Sequence, residues 1–260
     1  MRDNVTLDGK SCLLYGYDQH LWLRIAPGKT LTINADRSQL YKYRAAIYSN
    51  GGDVTVSGGG TLNINYQGKT NPGENEYKIV EGIYGSRVTF EYDDDPRYLG
   101  SPTVNINMNN GGSGPKGDAM TGIHAGTLTV KDGAKLNIEV TGRALNTSNN
   151  STTGEGYYGG NGGRSNRAIS ASSMELLDSA SLTIFSHKNV ISDICLGGSG
   201  EVLRVDTSGY LNIQNDGNIE RYALDGTGAN DTMLAMYRDY PTYNIYFSDK
   251  NATANLVRAE

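Results

Sequence analysis

The feature that most constrains this chain is a repeated frame of short apolar-x-apolar triplets. From Gly122-Ile123-His124-Ala125-Gly126 the chain leads to Leu128-Thr129-Val130 and then, eight residues on, to Leu136-Asn137-Ile138. The same frame fits Ile169, Met174-Glu175-Leu176 and Leu182-Thr183-Ile184 with no gap. It fits Ile47, Val54-Thr55-Val56 and Leu62-Asn63-Ile64 when two extra residues sit near Gly51-Gly52. Ile83, Val88-Thr89-Phe90 and Val104-Asn105-Ile106 follow it if eight residues around Asp93 to Gly100 bulge out. Ile191, Leu203-Arg204-Val205 and Leu211-Asn212-Ile213 follow it with seven extra residues near Gly197 to Gly200. Weaker copies are Leu23-Arg24-Ile25 with Leu31-Thr32-Ile33, and Ala235-Met236-Tyr237 with Tyr243-Asn244-Ile245.

Each triplet has period two, so its outer residues face one way and its middle residue the other. These are short strands. A unit of three, about 22 residues from Ile169 to Ile191, is too small to bury its own apolar face, and stacking successive units at about 4.8 Å buries it. The pattern therefore predicts an all-β chain. Its architecture is a single-stranded, right-handed parallel β-helix of seven to eight coils, with residues 1–260 forming one domain and loop insertions on one side. The hand follows the general preference of parallel connections. A β-propeller needs roughly 40 to 50 residues per blade, more than the gap-free unit supplies.

Composition narrows the alternatives. Glycine takes 34 positions and asparagine 25 of the 260 residues, which disfavours helix and suits tight corners. A net charge of -5 argues against nucleic acid as a partner, and no apolar run approaches the roughly 18 residues of a membrane span. The middle residues predict outward columns. One reads Thr32, Asn63, Asn105, Asn137, Thr183, Asn212, Asn244, in which stacked asparagines hydrogen-bond along the axis. The other, Arg24, Thr55, Thr89, Thr129, Glu175, Arg204, Met236, is too mixed for a flat threonine surface. Cys12 and Cys195 fall several coils apart, beyond disulfide reach, and are expected as free thiols, at least one of them buried.

The insertions are the informative part. Asn65 to Glu81, Asn107 to Thr121 and Glu139 to Arg167 leave the frame at one corner and so project from one side. The longest carries Tyr157 and Tyr158 in a glycine-rich tip. Beyond this corner each coil presents the residue after its frame isoleucine, namely Tyr48, Tyr84, His124, Ser170 and Ser192. Two tyrosine rings and an imidazole in a row, flanked by Asp118, Glu74, Glu76, Arg143, Arg164 and Arg167, suit an extended hydroxyl-rich polymer. Ring faces would stack on it and charged groups would hydrogen-bond to it. Of the three histidines, His187 reads as a solvated turn residue and no pair shares a motif. Asp93-Asp94-Asp95 carries enough charge for calcium, but consecutive carboxylates point apart and read better as a solvated run. No cofactor is expected.

The segments Ala46-Ile47-Tyr48-Ser49-Asn50-Gly51-Gly52-Asp53-Val54-Thr55-Val56-Ser57-Gly58-Gly59-Gly60-Thr61-Leu62 and Gly122 to Val130 resemble the repeats of β-helical surface proteins of Gram-positive gut bacteria. Those belong to the pectin-lyase-like superfamily, with pectate lyases, polygalacturonases and phage tailspikes. The resemblance covers roughly Leu23 to Ile245. It implies a bacterial cell-surface or secreted location. The arginine and calcium-aspartate pattern of pectate lyases is missing, as is the Asn-Thr-Asp, Asp-Asp and Gly-His-Gly set of polygalacturonases, so no catalytic residue carries over. The expectation is a monomeric, non-catalytic adhesin module, excised from a longer surface protein, that binds a polysaccharide, host glycan or glycoprotein. A polysaccharide lyase or glycoside hydrolase using the same groove, with Lys78, Arg87, His124 or Arg143 as the available groups, is the alternative. A stalk spacer is the third reading.

Overall fold

A computed structural model describes residues 1–10, 12–36, 45–68, 79–109, 119–141, 167–186, 194–206, 209–215, 245–247 and 252–256. Among these the regular structure is all strand, with no helix. The first half contains β1 (Val5–Lys10), β2 (Leu14–Tyr17), β3 (Leu21–Arg24), β4 (Thr30–Asp36), β5 (Ala45–Asn50), β6 (Val54–Ser57), β7 (Thr61–Gln67), β8 (Ile79–Glu91) and β9 (Thr103–Asn109). The second contains β10 (Ala119–Val130), β11 (Lys135–Thr141), β12 (Arg167–Leu176), β13 (Ser181–Ser186), β14 (Ile194–Leu196), β15 (Gly200–Val205), β16 (Tyr210–Asn215), β17 (Ile245–Phe247) and β18 (Ala252–Leu256).

All strand pairings are parallel and join non-consecutive strands. One sheet runs β1-β4-β7-β9-β11-β13-β16. The second follows β17-β14-β12-β10-β8-β5-β2, with β3, β6, β15 and β18 alongside. Where the corner between the isoleucine segment and the next triplet has no insertion, the two segments fuse into one long strand, as in β8, β10 and β12. The triplets align as their period demands: Leu62-Asn63-Ile64 pairs with Val104-Asn105-Ile106, which pairs with Leu136-Asn137-Ile138. The outer residues of these triplets form one buried core shared by both sheets. Within it Ile47, Ile83, Ile123, Ile169 and Ile194 are fully buried in one column.

The asparagine column is a hydrogen-bonded ladder. Asn105 Nδ2 donates to Asn63 Oδ1 at 2.9 Å, and Asn137 Nδ2 donates to Asn105 Oδ1 at 2.9 Å. A second ladder two residues further along each strand runs from Asp8 through Asn34 to Asn65, at 2.7 and 2.8 Å. Water competes for these half-exposed groups, so each bond contributes about 1 kcal/mol at most. Cys12 and Cys195 are both free thiols, and Cys195 is buried. Burial pushes the Cys12 thiol up to about 11.

Four assignments of the frame change. In the first coil Leu21-Trp22-Leu23, not Leu23-Arg24-Ile25, pairs with Val54-Thr55-Val56. Ile25 is an additional inward residue at a longer corner, 1% exposed, so Trp22 takes the outward place expected for Arg24. The isoleucine aligned with Ile169 is Ile194, which puts Cys195 opposite Ser170. Ile191 and Ser192 lie outside the described residues, and the corner before Leu203 holds fewer inserted residues than expected. Ile245 pairs with Ile194 in the second sheet instead of continuing the first. Met236 and Asn244 lie outside the described residues. Finally, the strand pattern of Val5-Thr6-Leu7 pairs with Leu31-Thr32-Ile33 ahead of the first frame, and Leu14, paired with Ile47, supplies that frame's leading inward residue.

Asp93 to Gly100, expected to bulge, forms a closed loop. Asp93 and Gly100 exchange backbone hydrogen bonds, and Asp93 is 4% exposed. Its carboxylate takes Arg24 through Nε at 2.6 Å and Nη2 at 2.5 Å, and accepts the Ser57 hydroxyl at 2.8 Å. Asp95 accepts from Arg97 and lies 3.2 Å from Arg24. Of the three carboxylates considered for calcium, those of Asp93 and Asp95 are engaged by guanidinium groups. Arg24 also lies over the rings of Trp22 and Tyr98, at 5.0 and 4.5 Å.

The Arg24 hydrogen bonds hold the Asp93 carboxyl down from its ordinary 3.8 to about 2. A depressed carboxylate stabilises the fold fully above its unfolded value and loses that contribution as pH falls through its folded one. The advantage of wild type over Asp93→Asn in thermal midpoint is therefore expected to be constant near neutrality and to shrink between 3.8 and about 2. Melting both proteins across that range at fixed ionic strength checks it, and a gap that does not narrow would remove the pair from the account.

Candidate functional site

The second sheet positions the row expected from the frame. Tyr48 pairs in register with Tyr84, Tyr84 with His124, and His124 with Ser170. Upstream Tyr15 pairs with Tyr48 and extends the row by one ring. That residue was legible in principle, since Leu14-Tyr15-Gly16 repeats Ile83-Tyr84-Gly85. The alignment of the first frame on Leu23-Arg24-Ile25 hides it, because Leu14 then stands nine residues before the triplet instead of seven. Downstream the row ends, as Ser170 and then the buried Cys195 replace aromatic residues.

Register brings these rings into contact. Tyr15 and Tyr48 stack with centroids 5.9 Å apart and planes 12° apart, and Tyr48 and Tyr84 stack at 4.7 Å and 12°. Tyr84 and His124 meet edge to face at 5.0 Å and 75°. This alters the expected chemistry. The faces of Tyr48 are covered by its neighbours, so the row presents ring edges and phenolic hydroxyls where free faces were expected. Such a row offers hydrogen-bonding groups along its length and leaves little ring face for stacking.

At its downstream end His124 Nδ1 lies 2.6 Å from Glu81 Oε1. Glu81 lies near the start of β8, and only 8% of it is exposed. An ionised carboxylate only accepts, so Nδ1 carries the proton and Nε2 is the nitrogen turned to other partners. The sequence hides this pair because 43 residues separate its members. Glu81, Thr121 and Arg167 lie in register. Arg167 thus stands two rungs from Glu81, about 10 Å along the axis.

Strand ends locate the insertions. Gln67 pairs with Asn109, and Asn109 with Thr141, where β7, β9 and β11 end. The chain re-enters at Ile79, Ala119 and Arg167, so all three excursions open at one edge of the sheets, beside Glu81. The strands β7, β9 and β11 run three residues past the points expected for them. Asp118, Arg143, Tyr157, Tyr158 and Arg164, with Glu74, Glu76, Lys78 and His187, lie outside the described residues. Arg87 is paired with Asp53 at 2.5 Å on the neighbouring exposed stretch.

A second cluster was not anticipated. His20 stacks on Trp22 with centroids 6.1 Å apart and planes 5° apart. Trp22 Nε1 donates to Ser57 Oγ at 2.9 Å, and His20 Nε2 lies 2.8 Å from Thr55 Oγ1. Trp22 is 54% exposed, but with His20 on one side and Arg24 against the ring it is held as part of the Asp93 loop clamp. No family model matches the chain, and no curated protein or solved structure matches it.

Proposed function

We propose that the chain winds as a right-handed parallel β-helix of the pectin-lyase-like kind and serves as a non-catalytic, cell-surface or secreted glycan-binding module, acting as a monomer. The helical winding is supported by parallel pairing throughout both sheets, by alternation of the chain between them, and by their common core. The right hand follows from the preference of parallel crossovers.

The observation that carries the binding reading is the axial row Tyr15, Tyr48, Tyr84, His124. It places one hydrogen-bonding group per coil, about 4.8 Å apart, on a partly exposed strip beside the edge where the insertions open. A polysaccharide or glycoprotein glycan laid along the axis meets hydroxyls first and the imidazole last. Tyr84→Ala removes the ring that Tyr48 stacks on and that His124 meets edge to face. Binding on a glycan array is expected to weaken at least tenfold, with unfolding changed little. Undiminished binding by Tyr84→Ala would sink this site.

The His124-Glu81 pair favours a second reading, a polysaccharide lyase or glycoside hydrolase. A carboxylate-oriented imidazole can take a proton α to a uronate carboxylate, and Arg167 lies on the same edge to meet the negative charge. Incubation with a panel of polyuronates would show rising absorbance from unsaturated products if this reading holds. A flat trace across the panel counts against the lyase, and no glycan binding at all leaves the stalk spacer.

A further inference from the structure

The outer face of the first sheet carries a surface that the tyrosine row does not explain. On β7 and β9 the outward residues are all threonine, asparagine or glutamine. The asparagines form two columns, Asn63 and Asn105 in one and Asn65 and Asn107 in the other. Rungs are about 4.8 Å apart and the columns about 6.6 Å apart, two residues along each strand. Two shallow concavities of about 410 and 420 Å³ lie on this face and share Asn65 and Asn107. They run together into one trough spanning β1 to β13.

The ladder amide at the centre of this trough, Asn105, is half used. In the Asn63-Asn105-Asn137 ladder each bond consumes one N–H and one oxygen lone pair. An amide offers two of each, so Asn105 in mid-ladder keeps one donor and one acceptor for other partners. The result is a plate of alternating donors and acceptors at fixed spacing. Its centre bears no charge, which gives an anionic polymer nothing to pair with. Asp8 and Asp36 stand at one end, and Glu139 follows Asn107 one rung on in the second column, so the charges around the asparagines are negative and repel an anionic polymer. No aromatic or aliphatic anchor rises from the centre as a protein partner would need, and only Phe185, at the far end of the trough, offers a ring. A neutral chain of hydroxyls, each both donor and acceptor, matches the plate throughout.

We infer that the asparagine trough on the outer face of the first sheet is a second binding surface, for a neutral, extended polysaccharide lying along the two columns. It stands apart from the tyrosine row, beside which Glu81 and Arg167 supply charge, and the two sites are separable by experiment.

Affinity gel electrophoresis of the full chain tests it, with hydroxyethylcellulose and mixed-linkage β-glucan as neutral probes and polygalacturonate as the charged one. Wild type should be retarded by at least one neutral polymer and less by polygalacturonate. The double variant Asn65→Ala/Asn107→Ala should weaken that retardation about tenfold or more, while Tyr84→Ala leaves it unchanged. Both asparagines are exposed, so the double variant should melt near wild type. Asn107→Arg, which fills the trough without touching the Asn63-Asn105-Asn137 ladder, provides an independent block. No retardation by either neutral polymer overturns the proposal. So does a double variant or Asn107→Arg that is retarded like wild type. Retardation lost only with Tyr84→Ala also overturns it, and leaves the tyrosine row as the binding site.

Discussion

Replacing Gly122 by valine is expected to lower the stability of the fold by about 3 kcal/mol or more, the upper range for overpacking. Gly122 lies on β10 just before the buried Ile123, in register with Gly82 on one side and Ala168 on the other. A Cβ added here would stand 2.6 Å from the backbone oxygen of Ala168 and 2.8 Å from Ile138 Cγ2 across the core. The first contact is with backbone and cannot be relieved by a rotamer change. At Gly82 the same construction meets the Gly122 oxygen at 2.5 Å and Ile106 Cγ2 at 3.0 Å. The column Ala46, Gly82, Gly122, Ala168 therefore marks where the second sheet presses toward the first. This close approach also sets Glu81 and Thr121 at the rim of the candidate site. Urea unfolding monitored by circular dichroism measures the effect, with Asn107→Ala as an exposed control. A Gly122→Val midpoint close to wild type would mean the sheets do not meet there as described.

The second large effect is expected from Phe90→Ala, at about 3 to 5 kcal/mol. Phe90 is fully buried and stands in β8 between Val56 and Val130 of the adjacent rungs. It is the one aromatic ring in an inward column otherwise made of smaller side chains, Leu23, Val56, Val130, Leu176 and Val205. Truncation leaves a cavity that these neighbours, fixed in register by strand pairing, cannot close. Phe90→Leu keeps most of the volume and should lose less than about 1.5 kcal/mol. Because each rung contacts only its neighbours, the damage starts locally. Hydrogen exchange should show β6, β8 and β10 losing protection before β13 and β16. Equal loss of protection in all strands would contradict this nearest-neighbour account.

Much of this arrangement was legible in the residues. The period-two triplets identified the strands, their inward faces and the outward asparagine ladder. The isoleucine before each triplet identified the row Tyr48, Tyr84, His124. The candidate site was less legible. Glu81 is 43 residues from His124 and becomes its partner only because β8 and β10 pair in parallel. Nothing in the spelling of Tyr48 and Tyr84 states that their rings cover one another, yet that contact turns a surface expected to offer ring faces into one that offers hydroxyls. Likewise Asp93-Asp94-Asp95 reads as a free charge run until Arg24 arrives from a strand 69 residues earlier.

The errors of alignment share one cause. Alternation determines which way a side chain faces, but a slip of two residues preserves every facing. Leu23-Arg24-Ile25 and Leu21-Trp22-Leu23 satisfy the same pattern, and only pairing with Val54-Thr55-Val56 decides between them. Corner length is equally free, which is why Ile191 and Ile194 both suited the frame until Ile194 paired with Ile169. From its sequence alone this chain is determined as stacked parallel strands with an asparagine ladder outside and isoleucine within. The tertiary structure decided the register between coils, because hydrogen bonds between neighbouring rungs and the space left in the core distinguish alignments that hydrophobic periodicity holds equal.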